Sequence, residues 1–365
     1  MAPKSLPRFA GYEHQTLTAN GHQWTRMDAN KNFRQRTVGL SVSLVLANIA
    51  AWVWAYLVFH DQPVLLGTAF LAYSFGLRHA LDADHIAAID NVTRKLVQGG
   101  ERPVSVGFYF ALGHSTVVMI AVVIVYWTAA IASERFKQWQ EVGEIISTCI
   151  SAFFLFAIAL INLLAMQDTY RALRRQKRGN PPQSGTVNPL MGQGIVSRLL
   201  RPLMKTLAKP MHMYPIGFLF GLGFETATEI ALLQVSASSG AKGQSLMNVM
   251  VLPVLFAAGM TLMDSADGMI MAGAYNWAFI NPIRKLYYNL TITTVSVVVG
   301  VVVGGIELIG LVKDKLNLDG GWFWSTIGIL QDNFGTIGLT IVGVFILTWL
   351  ISAIVYLLKK IDFSS

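Results

Sequence analysis

Arg78-His79-Ala80-Leu81-Asp82-Ala83-Asp84-His85-Ile86-Ala87-Ala88-Ile89-Asp90 closes an apolar stretch that begins near residue 64. The stretch is long enough to cross a bilayer, whose ~30 Å hydrocarbon core takes about twenty helical residues. An acid at mid-bilayer costs about 2.5–3.5 kcal/mol, so Asp82, Asp84 and Asp90 facing lipid would cost roughly 8–10 kcal/mol together. They therefore face protein or water. On a regular helix, at about 100° per residue, Asp82 and His85 follow His79 around one side and Asp90 lies close by, whereas Asp84 points about 140° away. Asp84 joins the others only if the helix unwinds, for which Gly76 offers a site, as in the broken helices of many transporters. Two imidazoles with carboxylates suit borderline divalent metals such as Ni²⁺, Co²⁺, Cu²⁺ and Zn²⁺ better than Mg²⁺ or Ca²⁺. A His/Asp proton relay and a purely structural pairing fit the same spacing.

Outward from this segment, the whole chain is built for lipid: 53% of its 365 residues are hydrophobic and 13% charged, against roughly a quarter charged in soluble domains. Eight apolar windows follow, near residues 38–59, 64–90, 104–128, 143–166, 212–236, 247–275, 288–312 and 334–358. The expected fold is an all-α integral membrane protein of eight transmembrane helices. Residues 1–37 form a basic N-terminal tail, 38–166 hold spans one to four, 167–211 a basic linker, 212–358 spans five to eight, and 359–365 a C-terminal tail. The polar tail ahead of a full-length first span indicates no cleavable signal peptide. Of the basic residues outside the spans, 22 fall on one side and five on the other, which puts both termini in the cytoplasm and the chain, multi-pass, in the cytoplasmic membrane. That bias accounts for the net charge of +8 without a nucleic-acid partner. The single cysteine, Cys149, excludes a disulfide framework and a thiolate cage, so metal must be held by nitrogen and oxygen.

The linker carries Arg171, Arg174, Arg175, Lys177 and Arg178 and then a Pro/Gly/Ser/Asn stretch, which reads as a flexible connection. Its second half, 194–209, reads as a charged loop obeying the same charge bias, with a short interfacial helix as the alternative. Gly76-Leu77 followed by acids in span two is echoed by Gly221-Leu222 in span five, and Phe110 to His114 in span three by Phe256 to Met260 in span six. The two copies run in opposite directions, so the pattern implies an inverted repeat, spans two to four against five to seven. Chance similarity of small apolar residues is the alternative.

Other spans add polar groups at similar depth: His114, Ser115 and Thr116 in span three, Glu225, Thr226, Thr228 and Glu229 in span five, and Asp264 and Asp267 in span six. His114 is a further candidate ligand. The four acids are ligands or the carboxylates that orient ligating histidines through their other N–H; Arg78 and Asp90 belong with this supporting group. His60-Asp61 is a candidate for meeting an incoming cation, while Glu307 and Tyr287-Tyr288 read as structural or interfacial, and His14 and His22 as solvated tail. The chain has no Gly-Lys dipeptide, hence no Walker A loop, and neither a His-Glu-x-x-His nor a Gly-x-Ser-x-Gly motif, which argues against an ATPase and an intramembrane hydrolase. A membrane potential alone gives a divalent cation ~4.6 kcal/mol per 100 mV, more than a thousandfold accumulation.

The segment from Arg78 to Asn91 closely resembles the signature of the nickel/cobalt transporter (NiCoT) family of secondary permeases, and Leu112-Gly113-His114-Ser115-Thr116-Val117-Val118 resembles that family's second motif. Gly221 to Glu229 and the stretch around Asp264 and Asp267 are similar to the third and fourth. The resemblance implies eight spans, cytoplasmic termini, and high-affinity uptake of Ni²⁺, Co²⁺ or both, without an ATPase subunit. The metal is then a transported substrate, with no resident cofactor. The family's key positions carry over as His79, Asp82, Asp84, His85 and His114. One position departs: the third motif usually has Asp where this chain has Glu225, whose extra methylene extends its reach by about 1.5 Å and leaves metal preference open. Efflux by the same fold is the alternative direction.

Overall fold

The structure, a computed structural model, describes residues 10–128, 134–177, 207–223, 227–278 and 282–362. The chain divides into two compact units, residues 1–43 and 44–365. The first is helical from Ala10. The second holds the candidate site.

The described residues form helices joined by turns, with no strand among them. We number the helices α1 (Ala10–Phe59), α2 (Pro63–His79), α3 (Ala83–Gln98), α4 (Val106–Thr128), α5 (Glu134–Lys177), α6 (Met213–Phe220), α7 (Ala227–Ala241), α8 (Val251–Ala278, after a short turn at Leu246–Val249), α9 (Pro282–Leu316), α10 (Trp322–Asp332) and α11 (Phe334–Asp362). Five stretches, within α1, α4, α5, α8 and α9, are long and apolar enough to cross a membrane. Two bent pairs, α2/α3 at 52° and α10/α11 at 75°, raise the number to seven if each is one span. The window expected at 212–236 falls on α6 and α7, which lie either side of residues 224–226.

Several boundaries differ from expectation. The window at 64–90 is two helices, and α3 runs on to Gln98, which brings Arg94 from the expected loop into the bundle. Helix α5 continues eleven residues into the expected linker, to Lys177, because Arg171-Ala172-Leu173-Arg174-Arg175-Gln176-Lys177 are strong helix formers. The short helix expected at 194–209 lies mostly outside the described residues. Helix α10 was not expected at all: at eleven residues it is too short to register as a span.

The break in α2/α3 is at Ala80–Asp82, not at Gly76. Leu81 N–H and Asp82 N–H donate to Arg78 O and His79 O at 3.0 and 2.9 Å, two tightened turns that end α2. Asp82 then turns extended, at φ −64° and ψ 145°, in the N-cap position of α3.

Gly76 serves a close approach instead. A Cβ there would lie 2.0 Å from Phe256 O, and one on Gly259 would lie 2.7 Å from Tyr73 O. The same relation recurs between α4 and α6: a Cβ on Gly217 would lie 2.0 Å from Phe110 O, and one on Gly113 2.0 Å from Tyr214 O. Helices α2 and α8, and likewise α4 and α6, thus meet backbone against backbone, which only glycine permits. Around these contacts Ile86, Ile89 and Val92 of α3 pack with Phe154 and Leu155 of α5 and Ile341 and Phe345 of α11, while apolar side chains such as Leu46, Ile49 and Leu57 of α1 are exposed, as contact with lipid requires.

Candidate metal centre

Three helix ends converge on one place. Helix α2 ends at His79. Helix α6 ends at Phe220, and the next residue, Gly221, packs so closely on α4 that a Cβ would lie 3.1 Å from His114 O. Helix α10 ends at Asp332, and just beyond it a Cβ on Gly335 would lie 3.4 Å from Asp82 Oδ1, while one on Gly338 would overlap Leu81 O at 1.8 Å. At each break the C-terminal end of one helix, whose unsatisfied carbonyls leave partial negative charge, adjoins the N-terminal start of the next; Gly335 and Gly338 lie in the first turns of α11. The carbonyl ends attract a cation, and transporters use broken helices in this way.

The side chains there are buried and interlocked. His79 Nδ1 donates to Asp82 Oδ2 at 3.0 Å, and Asp82 makes no side-chain cap bond to α3; its carboxylate orients the imidazole rather than finishing the helix. That leaves His79 Nε2 a lone pair. It faces His114 Nε2 at 3.0 Å, and His114 Nε2 lies 2.8 Å from Glu229 Oε1, which is 3.7 Å from His79 Nε2. One proton on His114 Nε2 cannot serve both neighbours well. A divalent metal ion can: donors about 2.1 Å from a shared ion sit about 3.0–3.4 Å apart, close to the sides of this triangle. On the other flank His85 Nδ1 donates to Asp264, 3.3 Å from Oδ2, and His85 Nε2 is buried without a hydrogen-bond partner. The ring centroids of His79, His85 and His114 are 4.6 to 5.0 Å apart, and one nitrogen from each falls within 4.8 Å of the others. Carboxylates behind two imidazoles fix their tautomers and raise their basicity toward a metal.

A cavity of about 500 Å³ leads to this centre and stops at Asp82. It is lined by Arg78, Asp84 and Thr228 near the histidines, and by Glu144, Glu307, Asp314 and Asp332 farther out. Lys315 pairs with Glu144 at 3.0 Å and Lys313 with Asp314 at 3.3 Å, and Ser151 Oγ donates to Glu307 at 2.9 Å.

Of the candidates read from sequence, His79, Asp82, His85, His114, Glu229 and Asp264 are brought into hydrogen-bonding contact. Asp84 and Arg78 stand on the cavity side of the break. Asp90 lies farther along α3 than His85, and Asp267 one turn farther along α8 than Asp264. Ser115 is buried near His114 without a hydrogen-bond partner for its Oγ, and Thr116 donates to Leu112 O and meets Tyr214 Oη at 3.1 Å, at the α4–α6 contact. Glu225 and Thr226 lie outside the described residues. His60 pairs with Asp61 at 3.1 Å in the exposed α1–α2 turn, away from the cavity lining. The cavity acids Glu144, Asp314 and Asp332 were missed, since each sits at the end of an apolar window, where a charge is unremarkable. Glu307, expected to be structural or interfacial, accepts from Ser151 and also lines the cavity; its depth within an apolar window is the signal that it faces a polar space.

The chain matches the family model described as high-affinity nickel-transport protein over residues 65–355. It is 48% identical over 338 residues to the high-affinity nickel transport protein of Cupriavidus necator, covering 92% of this chain and 96% of that one. Against the nickel transporter NixA of Staphylococcus aureus it is 40% identical, covering 92% and 98%. Against the cobalt transport protein NhlF of Rhodococcus rhodochrous it is 37% identical, covering 90% and 93%. No solved structure matches the chain.

Proposed function

The chain belongs to the high-affinity nickel-transport protein family, and on that premise we propose that it is a permease carrying Ni²⁺, Co²⁺ or both through the three-histidine centre. It is a transport protein, not an enzyme. The observation that carries the reading is the triangle of His79 Nε2, His114 Nε2 and Glu229 Oε1, with sides of 3.0, 2.8 and 3.7 Å, beside the unspent Nε2 of His85. Imidazole nitrogens with a carboxylate oxygen match the softness of Ni²⁺ and Co²⁺. Asp82 and Asp264 orient the imidazoles, while Asp84, Arg78 and Thr228 line the approach. The metal is cargo, and no resident cofactor is needed.

Eight spans complete this reading, with α6 and α7 as the two halves of one broken span and both termini in the cytoplasm of a multi-pass inner-membrane protein. The reciprocal glycine contacts support an inverted repeat of spans two to four against five to seven, with Gly76 equivalent to Gly217 rather than to Gly221. Uptake is driven by the membrane potential, worth ~2.3 kcal/mol per charge per 100 mV.

Cells expressing the chain should accumulate radiolabelled Ni²⁺ above empty cells, with unlabelled Co²⁺ competing. His79→Ala and His114→Ala, still present in the membrane, should each lower initial uptake by about a hundredfold or more. A well-expressed His79→Ala protein that transports at the parent rate rules out the centre; accumulation below that of empty cells reverses the direction.

A further inference from the structure

Beyond the histidines along α3 and α8 lies a second set of polar groups, of which Asp264, Asp90, Asn91 and Arg94 are buried and Asp267 is partly buried with its Oδ2 covered. Asp264, bound to His85, is followed one turn along α8 by Asp267, which lies within electrostatic reach of both Asp264 and Asp90; the neighbouring Gly268 packs on Ile89 of α3. Asp90 is fully buried, accepting from Tyr275 Oη and, at 3.0 Å, from Ser296 Oγ. One turn farther along α3, Arg94 is only 1% exposed. Its Nη2 donates to Asn91 Oδ1 at 3.0 Å, which also accepts from Asn162 at 2.8 Å.

The set is unfinished in a way that structural ion pairs are not. Buried guanidiniums and carboxylates are ordinarily saturated with partners, because an unspent charged donor in a dry interior is costly. Here Arg94 Nε and Nη1 have no hydrogen-bond partner, and neither does Asp267 Oδ2. Asp90 and Arg94, at i and i+4 on α3, are neighbours on one helix face, and the Arg94 charge acts on Asp90.

We propose that Asp90 and Asp267 form a second station for the divalent cargo, one step inward of the histidine centre, and that the Arg94 guanidinium keeps it closed as a tethered counter-cation. The inference rests on the transport reading above. Carboxylate and hydroxyl oxygens hold Ni²⁺ and Co²⁺ less tightly than imidazole, so the station binds weakly, as a release step requires. Cargo reaching Asp267 and Asp90 displaces Arg94; the returning guanidinium then drives the ion out and blocks its retreat.

Stoichiometry tests this on the purified full chain in detergent, by equilibrium dialysis with radiolabelled Ni²⁺. The parent and Arg94→Lys should bind one ion per chain, Arg94→Gln two, and Asp90→Asn/Arg94→Gln one again. A folded Arg94→Gln protein that retains the first site but gains no second overturns the proposal. Should Arg94→Gln fail to fold, Asp267→Asn gives an independent reading: the maximal uptake rate should fall about tenfold with KM within about threefold, and a rate within about twofold of the parent overturns the proposal equally. A parent chain that binds no Ni²⁺ sinks the transport centre itself, a result distinct from either.

Discussion

On one side of the histidines, Glu144, Glu307, Asp314 and Asp332 face an open cavity; on the other, Asp90, Asn91 and Arg94 are sealed, each no more than 1% exposed. Both regions are rich in acids, and they are satisfied differently. In the cavity, solvent carries most of the burden, and the ion pairs Lys315–Glu144 and Lys313–Asp314 sit at its rim; such exposed pairs are worth little in stability. In the sealed seam, Asp90 needs neutral donors from two other helices, Tyr275 on α8 and Ser296 on α9. The difference teaches that, among the described residues, an open cavity reaches Asp82 on one side of the centre while buried Asp90, Asn91 and Arg94 close the other. The cavity's acids favour the arrival of cations, whereas the seam contributes to holding the helices together and, on the proposal above, opens for the ion to leave.

The largest effect that bears on this contrast sits where the two regions join. Asp264 faces His85 on one side and Asp267 on the other, so Asp264→Asn should weaken Ni²⁺ binding by about 10–100-fold, the usual cost of losing a carboxylate behind a metal-binding imidazole; isothermal titration in detergent reads it. An affinity unchanged within twofold would detach the seam from the centre. Acid comes next. Metal ligation requires neutral imidazoles and ionised carboxylates, so protons compete with the ion. Lowering the pH from about 7.5 to 5.5 should weaken Ni²⁺ binding in detergent roughly tenfold or more; tighter binding on acidification contradicts the ligand set. The smallest and most discriminating pair compares the regions directly. Tyr275→Phe removes a donor from buried Asp90 and should cost about 1–3 kcal/mol of stability, seen as a lower unfolding midpoint. Asp332→Asn should leave stability unchanged and raise KM about two- to threefold at low salt, an effect that fades as salt screens the cavity. Equal destabilisation by the two changes would erase the distinction between a wet side and a dry one.

The residues that the structure brings together were readable for an energetic reason: an acid or imidazole at bilayer depth is too costly to be idle, which picks out His79, Asp82, His85, His114, Glu229 and Asp264, and equally Asp84, Asp90 and Asp267, whatever the helix geometry. Position within the fold was less readable. The break at Ala80–Asp82 carries no glycine or proline, so the visible hinge candidate was Gly76, which instead meets Phe256. Two Gly-Leu pairs aligned the repeat four residues away from the register that the glycine contacts support. Helix α10 was hidden by its length, and with it the closeness of Gly335 and Gly338 to the α2/α3 break. Arg94 was counted among loop charges, because the helix continues through Asn91-Val92-Thr93-Arg94-Lys95 after the apolar pattern has ended, and buried partners on other helices are invisible to a local pattern.

The glycine contacts also have a mechanical meaning. Where Gly76 and Gly259 join α2 to α8, and Gly113 and Gly217 join α4 to α6, backbone rests on backbone with no side chain between to bend or re-pack. Each pair therefore behaves as a stiff two-stranded lever, and motion is left to the joints at Ala80–Asp82 and just past Phe220. Those joints also carry the side chains of the proposed ion centre, with His79 at the first and His114 packed against Gly221 at the second. A cation that draws His79 and His114 together there would pull on the levers at their pivots, making binding and movement one event, not a signal sent from one place to another.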